Sequence, residues 1–323
     1  MNAQDRDQIL NQVQLQRRDW VRRVLGGAVG GGLAAATLGA QAAPGAQEAT
    51  AVRAAGNGVG RGPRIGLALG GGTARGFAHI GVLKSLAQAN IKPEVVVGCS
   101  AGALVGAFYA AGFTPWQLEE VALRVRDAEV ADFASAGKRG MLVGESLYRF
   151  VNDILKGTRI ESMPTRFAAV ATDLRSGELV VLRKGLVAEA VCASCAIPGV
   201  FVPREVGGRE LVDGGLVSPL PVGTARNLGC DVVIAVDVGA KPHRTSLPGL
   251  YEVLLQSFEI MGRALSDQEA RSADVVIQPD TSTYASSDFN VRREMIQVGY
   301  EASQRVLPEL QRRMNAPSRR GRG

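Results

Sequence analysis

The sequence is poor in histidine, cysteine and aromatic residues, and each scarcity limits the kind of site it can build. Its 323 residues include two histidines, His79 and His243, so a Ser-His-Asp triad or a histidine-rich metal site has few candidates. Four cysteines are too few for a disulfide framework in a chain of this length. Cys192 and Cys195 form a C-x-x-C motif, but no second cysteine pair or histidine cluster accompanies it, which argues against a zinc site. The redox state of these two cysteines stays open. We therefore expect neither a metal nor another cofactor.

The charge of the chain is positive but dispersed. The net charge is +6 and the isoelectric point is about 9.4, with basic residues concentrated only at the two ends. Dispersed charge is typical of a solvated surface, so we do not expect a nucleic-acid site. The basic tail at 314–323 contains proline, serine and glycine and is expected to be disordered. Weak electrostatic contact of this tail with an anionic membrane remains an open alternative.

Residues 1–42 resemble a twin-arginine export signal. The pair Arg17-Arg18 precedes Trp20-Val21, and the following apolar stretch Leu25–Leu38 is too short and too rich in glycine to span a bilayer. Ala40-Gln41-Ala42 has the small-x-small form of a cleavage site. We expect the mature chain to begin near Ala43 and to be exported to the periplasm. A basic amphipathic N-terminus or an uncleaved anchor are the alternatives.

The rest of the chain divides by composition into three parts before the tail. Residues 43–63 are rich in alanine and glycine without periodicity and are expected to be a linker. Residues 64–240 carry the pattern of a main domain, and residues 241–313 are expected to add helices and a last strand packed on it. The segment Asp127–Thr158 has no readable pocket chemistry, and we expect a lid there.

Short apolar runs alternate with helical segments through the main domain. Ile65–Leu69 and Cys230–Val238 have the length and composition of buried strands, and residues 77–89 repeat apolar side chains at helical spacing. Strands that alternate with helices are typical of a parallel sheet covered on both faces. The sequence therefore predicts an α/β fold, a three-layer α/β/α arrangement with a mainly parallel central sheet.

A strand–turn–helix pattern surrounds Ser100. The apolar run Pro93–Val97 leads into Gly98-Cys99-Ser100-Ala101-Gly102, which is followed by the helix-forming segment Ala103–Ala111. G-x-S-x-G in this setting is typical of a nucleophile elbow, where Gly98 and Gly102 permit a strained turn that projects the serine hydroxyl. Ser100 is therefore the candidate nucleophile. The alternative is an ordinary glycine turn between a strand and a helix.

A serine nucleophile needs a base, and Asp213 is the leading candidate. It ends a short strand and precedes Gly214 and Gly215, which leave room for another backbone to approach closely. A carboxylate bonded to the serine could take its proton, but a reference pKa of about 3.9 makes it a weak base unless an apolar pocket raises that pKa. An ordinary turn is the structural alternative for this motif. His79 and His243 stay open as alternative bases.

The glycine-rich loop Gly70–Gly76 lies between a predicted strand and a predicted helix. Consecutive backbone amides at such a place suit any anion, either an oxyanion or a phosphate. A P-loop would need Lys-Ser or Lys-Thr after the last glycine, where this chain has Phe77. A dinucleotide fold would need G-x-G-x-x-G and an acid about 20 residues on, and Glu94 meets only the second condition. Oxyanion stabilisation is thus favoured over nucleotide binding.

Taken together, the motifs of this chain resemble those of the patatin-like phospholipase family. The order and spacing of four motifs match, and the likeness covers residues 64–238, with a weaker likeness through 274–300. The motifs are Gly71-Gly72-Thr73-Ala74-Arg75-Gly76 with His79-Ile80-Gly81-Val82-Leu83, Gly98-Cys99-Ser100-Ala101-Gly102, Ala196-Ile197-Pro198-Gly199 and Asp213-Gly214-Gly215.

The resemblance implies a lipid acyl hydrolase with a serine–aspartate dyad and no metal. By it, Ser100 is the nucleophile and Asp213 the proton acceptor, and the loop residues Gly71, Gly72, Thr73 and Arg75 form the oxyanion hole and head-group contact. The family's loop usually reads G-G-G-x-R-G, so Thr73 replaces a glycine. Its β-branch makes a positive φ costly, which puts the local geometry in question.

The implied substrates are phospholipids or lysophospholipids, cleaved through an acyl-enzyme. Two alternatives stay open at this point. The same acyl-enzyme could pass its acyl group to an alcohol or lysolipid, which would make the chain a transacylase. The fold could also serve as a catalytically silent lipid-binding protein, although the presence of Ser100 and Asp213 argues against it. The sequence gives no oligomeric state.

Overall fold

The computed structural model describes residues 62–125, 140–239, 250–284 and 288–315. The predicted export signal, most of the predicted linker, the basic tail from residue 316 on, His243 and residues 127–139 of the predicted lid lie outside the described residues.

The described part of the chain contains ten strands and eight α-helices. The strands are β1 Ile65–Leu69, β2 Val95–Cys99, β3 Gly140–Leu142, β4 Arg166–Asp173, β5 Leu179–Leu182, β6 Gly199–Phe201, β7 Arg204–Val206, β8 Arg209–Asp213, β9 Val232–Val236 and β10 Val275–Ile277. The helices are α1 Ala78–Gln88, α2 Ala101–Ala110, α3 Pro115–Arg124, α4 Glu145–Leu155, α5 Val187–Ser194, α6 Val222–Asn227, α7 Leu250–Ala270 and α8 Arg292–Asn315.

Eight of these strands form one mixed sheet. Its order is β10-β9-β1-β2-β4-β8-β7, with β5 also paired to β4. The strands from β10 to β4 run parallel, whereas β5, β7 and β8 pair antiparallel. β3 and β6 form a separate parallel pair. The prediction of a mainly parallel central sheet is confirmed.

Strand β4 determines where the ends of β2 and β8 meet. Ala169 pairs with both β2 and β5, and Ala171 pairs with both β5 and β8, so β2 and β8 share the edge of β4 opposite β5. Along this edge the last residue of β2, Cys99, is opposite Val170, and the last residue of β8, Asp213, is opposite Ala171. β2 and β8 run in opposite directions and therefore end beside each other.

Helices cover the sheet on both faces. Alternate side chains of each strand point to opposite faces. On one face, Ala68 of β1 joins Val222 of α6 in a buried cluster. On the other face, Gly106 of α2 lies against Leu69 and Val96. This gives the three layers that the sequence predicts.

Helices α1 and α8 cross at a contact between backbones. A Cβ atom on Gly81 would lie 1.8 Å from the carbonyl oxygen of Ile296, and one on Gly299 would lie 2.0 Å from that of Ala78. No side chain fits at either position, because real Cβ contacts are never that short. The C-terminal helix is thereby fixed against the helix that follows the glycine-rich loop.

Candidate active site

Ser100 lies in a strained turn between β2 and α2. Its φ is +52° and its ψ is −123°, which a non-glycine residue adopts only when its surroundings impose it. The turn passes so close to β1 that a Cβ atom on Gly102 would lie 2.2 Å from the carbonyl oxygen of Leu69. No side chain therefore fits at position 102, the second glycine of the G-x-S-x-G motif. The predicted elbow geometry is present.

The backbone amide of Ser100 is held by a side chain. Its N–H donates to Oγ of Ser194 at 2.9 Å, and that hydroxyl in turn donates to the carbonyl oxygen of Val170 at 2.6 Å. Ser194 is the last residue of α5 and is fully buried. Sequence reasoning did not single it out, although it lies two residues before the Ala196-Ile197-Pro198-Gly199 motif.

Asp213 ends β8 at the position predicted for the base. Its side chain is fully buried, and Oδ1 accepts the N–H of Gly215 at 2.8 Å. The Sγ atom of Cys99 lies 3.8 Å from the same oxygen. The backbone of Asp213 is also fixed, because its N–H donates to the carbonyl of Ala196 at 2.9 Å and its carbonyl accepts from Oγ1 of Thr172 at 2.9 Å.

Burial makes the carboxyl of Asp213 more basic than a carboxyl in water. Removal from water raises its pKa from 3.8 to about 6, against smaller opposite effects of the Ser100 hydroxyl and the Gly215 amide. Oδ2 is buried, and no hydrogen bond of full geometry reaches it from the described residues. The hydroxyl of Ser100 is close enough to the carboxyl to lower its pKa.

The glycine-rich loop is fixed from both sides. The N–H of Gly70 donates to Val236 and that of Gly71 to Pro219, each at 3.0 Å. From residue 73 to residue 77 the loop forms a 3₁₀ turn, in which the N–H of Arg75 donates to the carbonyl of Gly72 at 3.0 Å. These bonds engage the amides of Gly71 and Arg75 within the protein, contrary to the predicted oxyanion hole.

Gly72 and Thr73 are the two remaining members of the predicted oxyanion hole. The N–H of Gly72 has no acceptor within the part of the chain that the structure describes. Thr73 has a φ of +50°, the unfavourable conformation for a β-branched side chain, and its Oγ1 donates to the carbonyl of Gly72 at 2.7 Å. Thr73, which replaces the family's usual glycine, therefore occupies this position in a strained backbone conformation.

His79 has a structural position. Its ring is fully buried, and Nε2 lies 2.8 Å from the carbonyl oxygen of Gly70. Burial lowers its pKa from 6.5 to about 4, so the ring is neutral at physiological pH. A neutral His79 that donates to Gly70 holds the glycine-rich loop, and its other ring nitrogen has no hydrogen bond to Ser100 or to any other described residue.

Helix α7 covers the site and adds charged groups to it. Together with Ser100, Asp213 and the glycine-rich loop, it lines a cavity of about 60 Å³. Its contribution is Phe258, Glu259, Gly262, Arg263 and Ser266. None of residues 143–158 lines the cavity, so this part of the predicted lid lies elsewhere.

Both arginines at the cavity are paired with carboxylates. Arg75 is 2% exposed and donates to Oε1 of Glu259 at 2.6 Å. Arg263 pairs with the buried Asp237 at 2.8 Å. The link from Arg75 to Glu259 joins the glycine-rich loop to α7, so the guanidinium for which the resemblance implies a head-group contact is paired within the protein.

The four cysteines are thiols, and two of them, Cys99 and Cys195, lie beside the candidate dyad. Cys99 precedes Ser100, and burial raises its pKa and that of Cys195 well above the usual range. Cys192 and Cys195, whose redox state the sequence left open, are likewise thiols here. Across the described residues, no group of three histidine, cysteine, aspartate or glutamate side chains is placed to hold a metal ion.

Comparison with known proteins identifies a family for the part of the chain that carries these residues. The model of the patatin-like phospholipase family matches residues 67–226, which include Ser100, Asp213 and the glycine-rich loop. Residues 67–226 belong to the patatin-like phospholipase family. Helices α7 and α8 follow this family domain, so α7 brings its cavity residues from outside the matched range.

Two curated relatives and one solved structure are also similar to this chain. An uncharacterised NTE family protein of Mycobacterium tuberculosis is 37% identical over 218 residues, which are 64% of this chain and 59% of that protein. The lysophospholipase NTE1 of Coccidioides immitis is 30% identical over 302 residues, 79% of this chain and 18% of that protein. VipD of Legionella pneumophila has the same fold, with a TM-score of 0.52 at 16% identity over 77% of this chain and 67% of that one.

The raised pKa of Asp213 predicts a pH-dependent cost to stability. A carboxyl with a pKa of 3.8 when unfolded and about 6 when folded binds its proton more tightly in the native state, so the free energy of unfolding falls as pH rises from about 4 to about 7. Asp213→Asn should remove this cost. Relative to the wild type, the variant should gain up to about 3 kcal/mol between pH 4 and pH 8, measured by urea unfolding.

Asp173→Asn serves as the matched control on the same sheet. Hydrogen bonds from the N–H groups of Ser176 and Arg175 lower the pKa of Asp173, so its charge stabilises the native state above its unfolded pKa. This variant should lose stability toward pH 8, the opposite sign. An Asp213→Asn variant whose stability difference from wild type does not change with pH would contradict the burial of an ionisable carboxyl.

Proposed function

We propose that this protein is a serine lipid acyl hydrolase of the phospholipase A or lysophospholipase type that uses a Ser100–Asp213 dyad. The observation that carries the proposal is the buried carboxyl of Asp213 beside Ser100, with a pKa raised to about 6. A base with a pKa near the working pH can take the proton of the serine hydroxyl and return it to a leaving group. Membership of the patatin-like family supports the same chemistry.

The proposed reaction has two stages. Oγ of Ser100 attacks the acyl carbonyl while its proton passes to Oδ2 of Asp213, the oxygen without another full hydrogen bond. Return of the proton to the alkoxide leaving group releases the alcohol or lysolipid and leaves an acyl-enzyme. Asp213 then deprotonates a water molecule, which attacks this ester and releases the fatty acid. The proton returns from Asp213 to Oγ of Ser100, which restores the free hydroxyl.

We assign the oxyanion to the amide of Gly72. It belongs to the glycine-rich loop that lines the cavity with Ser100, and its N–H is not used by a described acceptor. The bonds of Gly70 and Gly71 to Val236 and Pro219 hold the loop rigid. A donor held in place before the reaction stabilises developing charge without reorganisation.

The proposed substrate class follows from the family and from the lining of the cavity. Ile197 and Phe258 supply apolar walls near Ser100. The name of the relative NTE1 includes lysophospholipase, which supports a lysophospholipid or phospholipid substrate here. A cavity of about 60 Å³ is far smaller than a typical ligand site of several hundred Å³, so α7 or its side chains must move for an acyl chain to enter.

A transacylase is the alternative use of the same acyl-enzyme. It differs only in the acceptor, which would be an alcohol or lysolipid in place of water. Adding such an acceptor and analysing the products separates the two activities. A catalytically silent lipid-binding protein would instead leave Ser100 unreactive toward an acylating or phosphonylating probe.

The direct test is fatty-acid release from mixed phospholipid and lysophospholipid vesicles. Ser100→Ala and Asp213→Ala should each lower the rate by several orders of magnitude, because nucleophile and base act as one unit. Urea unfolding checks that both variants remain folded. The exposed-site variants Ser162→Ala and Asp280→Asn should keep the wild-type rate. Retention of most activity by Asp213→Ala would refute the dyad.

We also propose that the protein contacts lipid aggregates through the outer face of α7. Val253, Leu254, Ile260 and Met261 are 43%, 39%, 52% and 54% exposed, on the face opposite the one that lines the cavity. An apolar stripe of this kind suits the surface of a lipid aggregate, and here it lies directly outside the cavity. The described helices include none with the length and hydropathy to span a membrane.

The double variant Ile260→Ser/Met261→Ser tests this contact. It should lower hydrolysis of vesicle lipid at least tenfold and leave hydrolysis of a short-chain soluble ester within threefold, since burial of each large apolar side chain in a lipid surface contributes about 1.5–3 kcal/mol. The control is Leu174→Ser/Leu179→Ser, which removes similarly exposed apolar side chains away from the cavity. Equal effects of the two double variants on vesicle hydrolysis would contradict the proposed contact.

Export to the periplasm remains part of the proposal through the sequence of residues 1–42. Fractionation of cells that express the full chain, with and without Arg17→Lys/Arg18→Lys, tests it.

A further inference from the structure

One short segment, Ser194–Ala196, binds the backbone of both members of the dyad. Oγ of Ser194 accepts the N–H of Ser100 at 2.9 Å, and the carbonyl of Ala196 accepts the N–H of Asp213 at 2.9 Å. The segment begins at the last residue of α5, and neither bond belongs to the backbone ladder of that helix or of the sheet. The spacing between nucleophile and base therefore depends on this segment.

The hydroxyl of Ser194 is fully used by these contacts. It accepts from Ser100 and donates to the carbonyl of Val170 at 2.6 Å, in a position with no exposed surface. Val170 is the residue of β4 opposite Cys99, and its neighbour Ala171 is opposite Asp213. Ser194 thus ties the elbow to the point of the sheet where β2 and β8 end.

The contact matters most because the turn at Ser100 is strained. Its φ of +52° persists only if the surroundings hold it. The amide of Ser100 is buried among β4 and α5, so loss of its acceptor would leave an unsatisfied donor and favour rotation of the turn. Rotation would move Oγ of Ser100 away from the carboxyl of Asp213.

We propose that Ser194 is a positioning residue that sets the catalytic conformation of Ser100. It does not contact substrate and takes no proton, and its effect on the rate passes through the backbone of the nucleophile. This inference rests on the proposed function, because a positioning role requires that Ser100 reacts.

The test compares Ser194→Ala with a matched control, Ser85→Ala. Ser85 is also fully buried and hydrogen-bonded, with Nε2 of Gln304 at 3.2 Å, but it lies on α1 outside the cavity. Each variant is assayed for kcat and KM on a short-chain soluble ester, for the rate of labelling of Ser100 by a phosphonate probe, and for stability in urea.

Ser194→Ala should lower kcat and the labelling rate together by about 100-fold, as expected for a misplaced reacting group, with KM within threefold. The pKa of the acid limb of kcat/KM should rise, because the Ser100 hydroxyl that lowers the pKa of Asp213 moves away from it. Ser194→Thr, which keeps the hydroxyl, should recover activity to within tenfold of wild type. Ser85→Ala should lose stability without loss of kcat.

The outcomes separate the two claims. If Ser194→Ala is folded and keeps kcat within threefold while the wild type is active, the positioning role is wrong and the dyad stands. If the wild type neither hydrolyses the ester nor reacts with the phosphonate, the proposed function fails and the positioning role fails with it. If Ser194→Ala changes KM alone, its role lies in substrate binding and the inference is overturned.

Discussion

The burial of one carboxyl, that of Asp213, is the constraint on which the rest of the site depends. An aspartate in water is too weak a base for a serine hydroxyl, and removal from water raises its pKa into the useful range. Burial also destabilises the ionised form, so the fold must hold the group from several directions. The N–H of Gly215, the carbonyl of Ala196 and the hydroxyl of Thr172 do this.

The sheet places Ser100 and Asp213 beside each other, and the loops hold them. Because β2 and β8 share one edge of β4, their ends meet without any long connection between them. The glycine-rich loop is then fixed by His79 and by Pro219 on one side and by the pair of Arg75 with Glu259 on the other. The cavity is therefore lined on one side by residues of the family domain and on the other by helix α7.

The sequence predicted those features that depend on local pattern. The strands β1 and β2 and the turn at Ser100 follow from apolar runs and glycine spacing. It could not predict which face of α7 covers the cavity, because the partner of Arg75 lies 184 residues along the chain. The engagement of the Gly71 amide by Pro219 is likewise a tertiary contact with no local signal. Ser194 was missed for the same reason.

The pH dependence of kcat/KM on a soluble ester tests the central claim most directly, because it reports the ionisation of the essential base in the free enzyme. With Asp213 as base, kcat/KM should be level above about pH 7 and should fall tenfold per pH unit below about pH 6. An acid limb near pH 4 would contradict this account, since it would match the lowered pKa of His79 or an ordinary solvated carboxyl.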